Sequence, residues 1–523
     1  MKHYKLESSY RVSISLIIAV IMLTRIAQCD DALSWPPILD SQSTVSQTRD
    51  GRKIVRFKHG ERQEWGYQNF PELKSLKFLA AVPKADQELG AANKTQNSSS
   101  FFLVEPKSPP TSGNKAPLLV ILHGAGGSGC QFLKNHFIDK VKINKKYGEN
   151  LNPITRVFSP PDDCFGLYLN CGIGEWWGWA RYSGQKPQKG KNNNPTSLRI
   201  LDSVKWVTKM FPIDENRIYL TGSSMGGCGT LGIGGPNGDV FAAIAAFVPA
   251  GTEYFIRSLG LPDAPKSPKL KIKKTKAEVL ADDAGKGTKA TSSPAGFDAE
   301  LAPLFEEWKK EVGKYRLADP PYILTFSGTT DAWSQTQAAF LHATDAAKFP
   351  VLAGWGKTGH KSEPTILAYK RPQLAAALAF PWMEIHKNEA YPVFTEVDTN
   401  DPPPWISPKV KNRDAPGQMN AYFRWKNRVD TLEEFSMQLW IEQAKSDFMD
   451  KNFKSSTRTS ITFRRLQKFK IDPTKKYEYQ LKYGDKLHHR GIILSDSRGL
   501  LTIPDVKITT DKICLRLSPL SDE

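Results

Sequence analysis

Gly222-Ser223-Ser224-Met225-Gly226-Gly227 follows the strand-like run Arg217 to Thr221 and leads into small residues that can begin a helix. A Gly-x-Ser-x-Gly stretch in that setting is the most constraining feature of the chain. It predicts a sharp strand-to-helix turn with the Ser224 hydroxyl exposed at the carboxyl edge of a sheet. Glycines on either side relieve the crowding that such a turn creates. The helix that follows presents its N-terminus to developing negative charge. An ordinary glycine-rich turn is the plain alternative.

The rest of the chain is read around that turn. Pro117 to Leu122 is a continuous apolar run closed by glycines, the pattern of a parallel strand buried on both faces. Ile54 to Phe57, Leu76 to Val82, Phe101 to Val104 and Arg156 to Ser159 give further strand signals. So do Arg217 to Thr221, Ala242 to Val248, Pro321 to Phe326 and Phe349 to Leu352. Thr196 to Lys209 places Leu198, Leu201, Val204 and Val207 three residues apart, which predicts an amphipathic helix. Alternation of this kind predicts an α/β fold, a mostly parallel sheet with helices on both faces. Residues 262–300 break the pattern and read as a surface insertion. After Asp401-Pro402-Pro403-Pro404 only strand signals recur: Met419 to Trp425, Glu434 to Trp440, Ser460 to Arg464, Tyr477 to Leu481, Gly491 to Leu494 and Lys512 to Leu517. Residues 401–523 are therefore expected to form a β-sandwich-like accessory domain behind a catalytic domain at 30–400.

A serine nucleophile needs a base, and the base an orienting acid, in the chain order serine, acid, histidine. Asp331 follows the Pro321 to Phe326 strand. His360 closes Gly354-Trp355-Gly356-Lys357-Thr358-Gly359-His360 after the next strand. Of nine histidines, His342 in an expected helix is the chief competitor to His360, and Asp319 and Asp345 are alternative acids. His123-Gly124-Ala125-Gly126-Gly127-Ser128-Gly129 follows the apolar strand. Its Ala125 amide, with that of Met225, is expected to form an oxyanion hole. A phosphate cradle is the competing reading of that loop, but no Gly-Lys-Ser/Thr follows it. His123 is expected to order the loop rather than act as a base.

The run Phe211 to Thr230 resembles the elbow region of secreted α/β-hydrolases of the polyhydroxybutyrate depolymerase and feruloyl-esterase-like group, with prolyl-oligopeptidase-like relatives. The His123-Gly124 loop, Gly328 to Asp331 and the glycine-preceded His360 match the same group in the same order, over roughly residues 100–385. The resemblance implies the α/β-hydrolase fold, the triad Ser224, Asp331 and His360, no cofactor, and hydrolysis of carboxylic esters, often those of polymers or plant cell walls. The chain departs from many relatives in carrying Ser327 rather than histidine before Gly328. It also has a longer stretch from Pro160 to Asn194. A serine peptidase using the same triad and a non-catalytic polysaccharide-binding protein are the rival readings.

That long stretch holds Glu175-Trp176-Trp177-Gly178-Trp179. Trp176, Trp177 and Trp179 are either a stacking platform for sugar or phenolic rings or anchors for the loop. Cys164 with Cys171, and Cys130 with Cys228, are candidate disulfides; buried thiols are the alternative. No Cys/His spacing suggests a metal site. Lys2, Lys5 and Arg11 precede an apolar run at Val12 to Leu23 that ends near Ala27-Gln28-Cys29. A cleaved signal peptide at 1–29 and a secreted or periplasmic protein are expected, with a lipid anchor at Cys29 as the lesser option. Asn93 and Asn97 begin glycosylation sequons. The formal charge is +18, and Lys266 to Lys276 holds six lysines. No nucleic-acid motif accompanies that charge, so an acidic or cell-wall polysaccharide is the expected partner beyond the ester substrate.

Overall fold

The computed structural model describes residues 38–39, 46–47, 51–58, 100–124, 128–133, 157–170, 195–249, 319–360, 372–403, 416–443 and 453–520, apart from a few positions inside those ranges. The leader, Leu76 to Val82, Ala125, the three loop tryptophans, Cys171 and the 262–300 insertion lie outside them.

One large sheet dominates the first part. Its strands are β1 (Ile38–Leu39), β2 (Ser46–Gln47), β3 (Lys53–Lys58), β4 (Ser100–Val104), β5 (Ala116–Leu122), β6 (Phe165–Leu169), β7 (Ile213–Ser223), β8 (Ala243–Phe247), β9 (Tyr322–Gly328) and β10 (Val351–Gly356). After the short strand β11 (Tyr391–Thr395), β12 (Gly417–Met419) completes it. The spatial order is β1-β3-β4-β6-β5-β7-β8-β9-β10-β12, with β2 on β3. From β6 to β10 every pairing is parallel, and the flanking strands are antiparallel.

Alternation along each strand sends neighbours to opposite faces. Leu118, Val120 and Leu122 of β5 enter one core with Ile200, Val204 and Val207 of helix α2 (Pro195–Met210) and Phe340 of α4 (Gln337–Ala346). Leu119 and Ile121 enter the other, with Leu133 of α1 (Gly129–Leu133) and Leu374 of α5 (Pro372–Leu378). The remaining described α-helix, α3 (Met225–Gly229), follows the elbow.

Two antiparallel sheets make the second part. One has the order β11-β15-β18, where β15 is Ser456–Arg464 and β18 is Thr502–Thr509. The other is β13-β14-β19-β16-β17, from Phe423–Asp430, Phe435–Ile441, Ile513–Pro519, Lys476–Tyr483 and Lys486–Leu494 respectively. Their inner faces share a third core, with Phe394, Phe463 and Ile508 facing Phe435, Leu481 and Leu515. Around the proline run the chain passes from β10 to β11 in the sandwich, back to β12 beside β10, and out again to β13.

Three local expectations are corrected. Residues 157–159 form a turn rather than a strand, because Pro160 and Pro161 follow at once; the parallel strand is Phe165–Leu169. Met419 to Trp425 is not one strand: Asn420, at φ 62°, separates β12 from β13. Strand β10 continues through Gly354, Trp355 and Gly356, which were expected in the loop.

Candidate active site

Backbone geometry builds the elbow. Ser224 sits at φ 58°, ψ −116°, a strained conformation for a residue with a side chain. Its amide donates to the Phe247 carbonyl at 2.8 Å, and its carbonyl accepts from Cys228 at 3.0 Å as α3 begins. The flanking glycines are required by close approach. A Cβ on Gly222 would lie 2.3 Å from the Gly226 carbonyl oxygen, and one on Gly226 would lie 2.2 Å from that of Leu122. The turn is thus wedged against the end of β5, where the His123-Gly124 loop starts.

Acid and base come from adjacent strands. The β9–β10 register pairs Gly328 with Gly356, so both strands end level. Thr329 donates to the Gly356 carbonyl at 2.9 Å and Thr330 to that of Thr358 at 3.2 Å, tying the two loops together. A Cβ on Gly328 would meet the Thr358 oxygen at 2.2 Å. Only glycine allows the acid loop to lie this close to the histidine loop.

These loops bring the three residues into one hydrogen-bonded chain. His360 Nε2 is 2.6 Å from Ser224 Oγ, and His360 Nδ1 is 2.8 Å from Asp331 Oδ2. The Asp331 carboxyl is 1% exposed, whereas the imidazole remains 35% exposed. Ser334 Oγ also donates to Asp331 Oδ2, at 3.4 Å. This is the geometry of a base held in one tautomer by a buried acid. The competing residues fall elsewhere. Asp319 lies before β9, at the opposite end of the strand from Asp331, and pairs with Arg464 at 3.0 Å. His342 and Asp345 belong to α4.

The loop after β5 has support that sequence reasoning missed. Asn170, directly after β6, accepts the Gly129 amide on its Oδ1 at 2.5 Å, and its carbonyl accepts from Arg199 Nη2 at 2.6 Å. A Cβ on Gly129 would lie 2.6 Å from the Leu169 oxygen. Strand β6, which delivers Asn170, is the run Phe165-Gly166-Leu167-Tyr168-Leu169, its apolar pattern interrupted by Gly166. That glycine is itself required, since a Cβ there would reach Pro160 Cγ at 2.7 Å. His123 is buried, with Nδ1 2.8 Å from the Gly124 oxygen. Burial, opposed by that hydrogen bond and aided by the charge of Arg199, pushes its pKa down to about 4. It is a buried, neutral ring at the end of β5. Met225 is buried directly after the elbow.

Cys164 does not bear out the bridge to Cys171. Its thiol is free and buried, bonded to the Phe165 carbonyl at 3.2 Å, and burial raises its pKa. Among the described residues no group of three or more His, Cys, Asp or Glu side chains is arranged to hold a metal. No described helix is long and apolar enough to cross a membrane.

No known family profile matches the chain. Feruloyl esterase B of Talaromyces funiculosus is 28% identical over 141 residues, which are 27% of this chain and 34% of that protein. The matched part therefore spans about a third of the relative's length. Among solved structures, an S-formylglutathione hydrolase from Staphylococcus aureus overlaps 54% of this chain and 92% of its own, with 17% identity and a TM-score of 0.30. An acetyl xylan esterase from Aspergillus awamori overlaps 47% of this chain and 74% of its own, with 13% identity and a TM-score of 0.28. At such TM-scores the reading of the fold rests on strand order and on the elbow instead: a parallel sheet with helices on both faces, whose strand ends bring a serine, an imidazole and a carboxylate together.

Proposed function

We propose that this chain is a serine hydrolase that cleaves carboxylic esters through an acyl-enzyme. The observation that carries the reading is the unbroken chain from Ser224 Oγ to His360 to the buried Asp331 carboxylate, at level strand ends. Ser224 attacks the ester carbonyl as His360 Nε2 takes its proton. Asp331 holds the tautomer and stabilises the imidazolium. The Ala125 and Met225 amides bind the oxyanion, His360 protonates the leaving alcohol, and water then releases the acid. No cofactor enters these steps. The elbow resemblance and the partial match to a feruloyl esterase support an ester of a polymer or cell-wall polysaccharide as substrate. Trp176, Trp177 and Trp179 are proposed to meet its rings. A leader cleaved after Cys29, and hence export, belong to the same reading.

The test is labelling with a fluorophosphonate probe, wild type against Ser224→Ala, alongside release of p-nitrophenol from short-chain esters. Wild type should label and turn over, and the variant should lose about 10⁴–10⁶-fold in kcat. Labelling that persists in Ser224→Ala would end the assignment. Cleavage of amides but not of esters would make the chain a peptidase.

A further inference from the structure

A cavity lies far from Ser224, where the two parts of the molecule meet at the amino end of β9. It encloses about 210 Å³, room for one sugar-sized ring rather than the roughly 300–1,000 Å³ of a drug-sized site. Phe380, Tyr391, Trp425 and Trp440 supply aromatic walls, and Arg424 and Glu384 contribute charge. The aromatic rings are locked. Tyr322, the first residue of β9, stacks on Phe380 with centroids 5.1 Å apart and touches Tyr391 and Trp425 at 5.9 and 5.5 Å. Asp331 follows the other end of that seven-residue strand. At about 3.3 Å per residue, the strand alone puts about 20 Å between the cavity and the triad.

Arg424 is the unusual member. It is only 9% exposed, yet among the described residues no carboxylate stands within ion-pair distance of it. Nη1 is used on the Ala421 and Phe423 carbonyls, and the guanidinium lies 5.5 Å from the Phe380 centroid. Among the described residues, the side-chain hydrogen bonds of Arg424 are those of Nη1. Glu442, which acts on Arg424 through its charge, is held by Trp440 Nε1 at 3.0 Å. Of the two acids that line the cavity, Glu389 pairs with Arg428 at 2.7 Å and with His386 at 3.3 Å, and Glu384 is exposed. Lys426 is exposed at the rim. The cavity therefore offers a fixed guanidinium edge and a second cation beside aromatic faces. Glu384, exposed, is an acceptor for hydroxyls.

We infer that this cavity binds a carboxylate-bearing sugar residue, a uronate of an acidic glycan, with the carboxylate on Arg424 and the ring against Trp425. The shape and charge fit one another: planar carboxylate to guanidinium fork, sugar face to indole. The inference goes beyond ester hydrolysis and does not depend on it. Such a site would hold the protein on an acidic polymer while leaving the triad open.

Binding to the full chain can be measured by calorimetry and by tryptophan fluorescence, with trigalacturonate as probe and neutral galactotriose as control. Trigalacturonate should bind at least tenfold tighter than galactotriose. Arg424→Gln should weaken it at least tenfold and Lys426→Glu at least threefold, with fluorophosphonate labelling at wild-type rate in both. Should Arg424→Gln fail to fold, the exposed Lys426→Glu decides alone. Equal affinity for the neutral trisaccharide, no binding at millimolar trigalacturonate, or unchanged affinity in the folded variants would overturn the inference. None of those results would touch Ser224, whose labelling is read separately.

Discussion

Single residues at this site act mostly by what they lack. Gly328 has no side chain where a Cβ would stand 2.2 Å from the Thr358 oxygen, so it sets how closely the acid and base loops approach. Gly328→Ala should push Asp331 away from His360 and lower kcat about 100-fold, since roughly 1 Å of misplacement has that effect, with little change in KM. Steady-state kinetics and labelling rates check this; a wild-type labelling rate would separate the contact from the reaction. His123 makes a stability prediction. Its pKa is near 4 when folded against 6.5 for the free side chain, so between those values the unfolded chain binds the extra proton. Its contribution is therefore intact above pH 6.5 and is lost as pH falls toward 4, by roughly 2–4 kcal/mol. In denaturant titrations at pH 7 and pH 4.5, His123→Gln should flatten that part of the profile. The elbow, Asp331 and His360 were legible as a set because the chemistry proposed for them needs particular residue types after strands. Asn170 and Arg199 were not, because a backbone-holding amide and a buried arginine leave no local pattern.

Among the elements, β15 carries the junction. Just past its end, Arg465 at φ 56° turns its guanidinium inward to the carbonyls of Gly238, Phe241 and Ala242, at 2.6, 2.9 and 3.1 Å. Arg464 beside it pairs with Asp319 and reaches the Lys348 carbonyl at 3.2 Å. Both donors come from the sandwich and all these acceptors from the α/β part. Arg465→Met keeps the volume and removes the donors from three carbonyls in a buried setting. It should cost about 2–4 kcal/mol in urea unfolding, with fluorophosphonate labelling of the folded protein unchanged. A change below about 0.5 kcal/mol would mean that the clamp carries no stability. The strands of both parts were largely visible as alternating or continuous apolar runs. Strands β6, β11 and β18 were not, because Gly166, Pro392 and the pair Pro504 and Asp505 interrupt them, and the break at Asn420 was invisible because a left-handed residue has no hydrophobic signature.

For the molecule as a whole, the crossings around residue 401 matter most. Strand β11 precedes the prolines but pairs with β15, while β12 follows them and covers the edge of β10 through Gly354 and Trp355. A chain ending at residue 400 would expose the β10 edge, and it would leave β11 and the Phe394 side of the third core without a partner. It is expected to be insoluble or aggregated in sedimentation, and the full chain to unfold in one thermal transition. A soluble, labelled 1–400 chain would show that the α/β part stands alone. The role of the sandwich is thus better tested by point variants at the 424–426 cavity wall than by deletion.

By itself the sequence pointed to the class of fold and to Ser224, Asp331 and His360 as the serine, carboxylate and imidazole that strand ends would bring together. Both rest on local rules: a buried parallel strand must be apolar throughout, and a nucleophile on a tight turn must have glycines around it. Only the tertiary structure decided how level β9 and β10 end, which amide and guanidinium hold the loop after β5, that Cys164 stays a thiol, and that a buried arginine faces a cavity with no described carboxylate at ion-pair distance. Those depend on residues tens of positions apart, such as Gly129 with Asn170 and Asn170 with Arg199, meeting at a few ångströms, which no local pattern encodes.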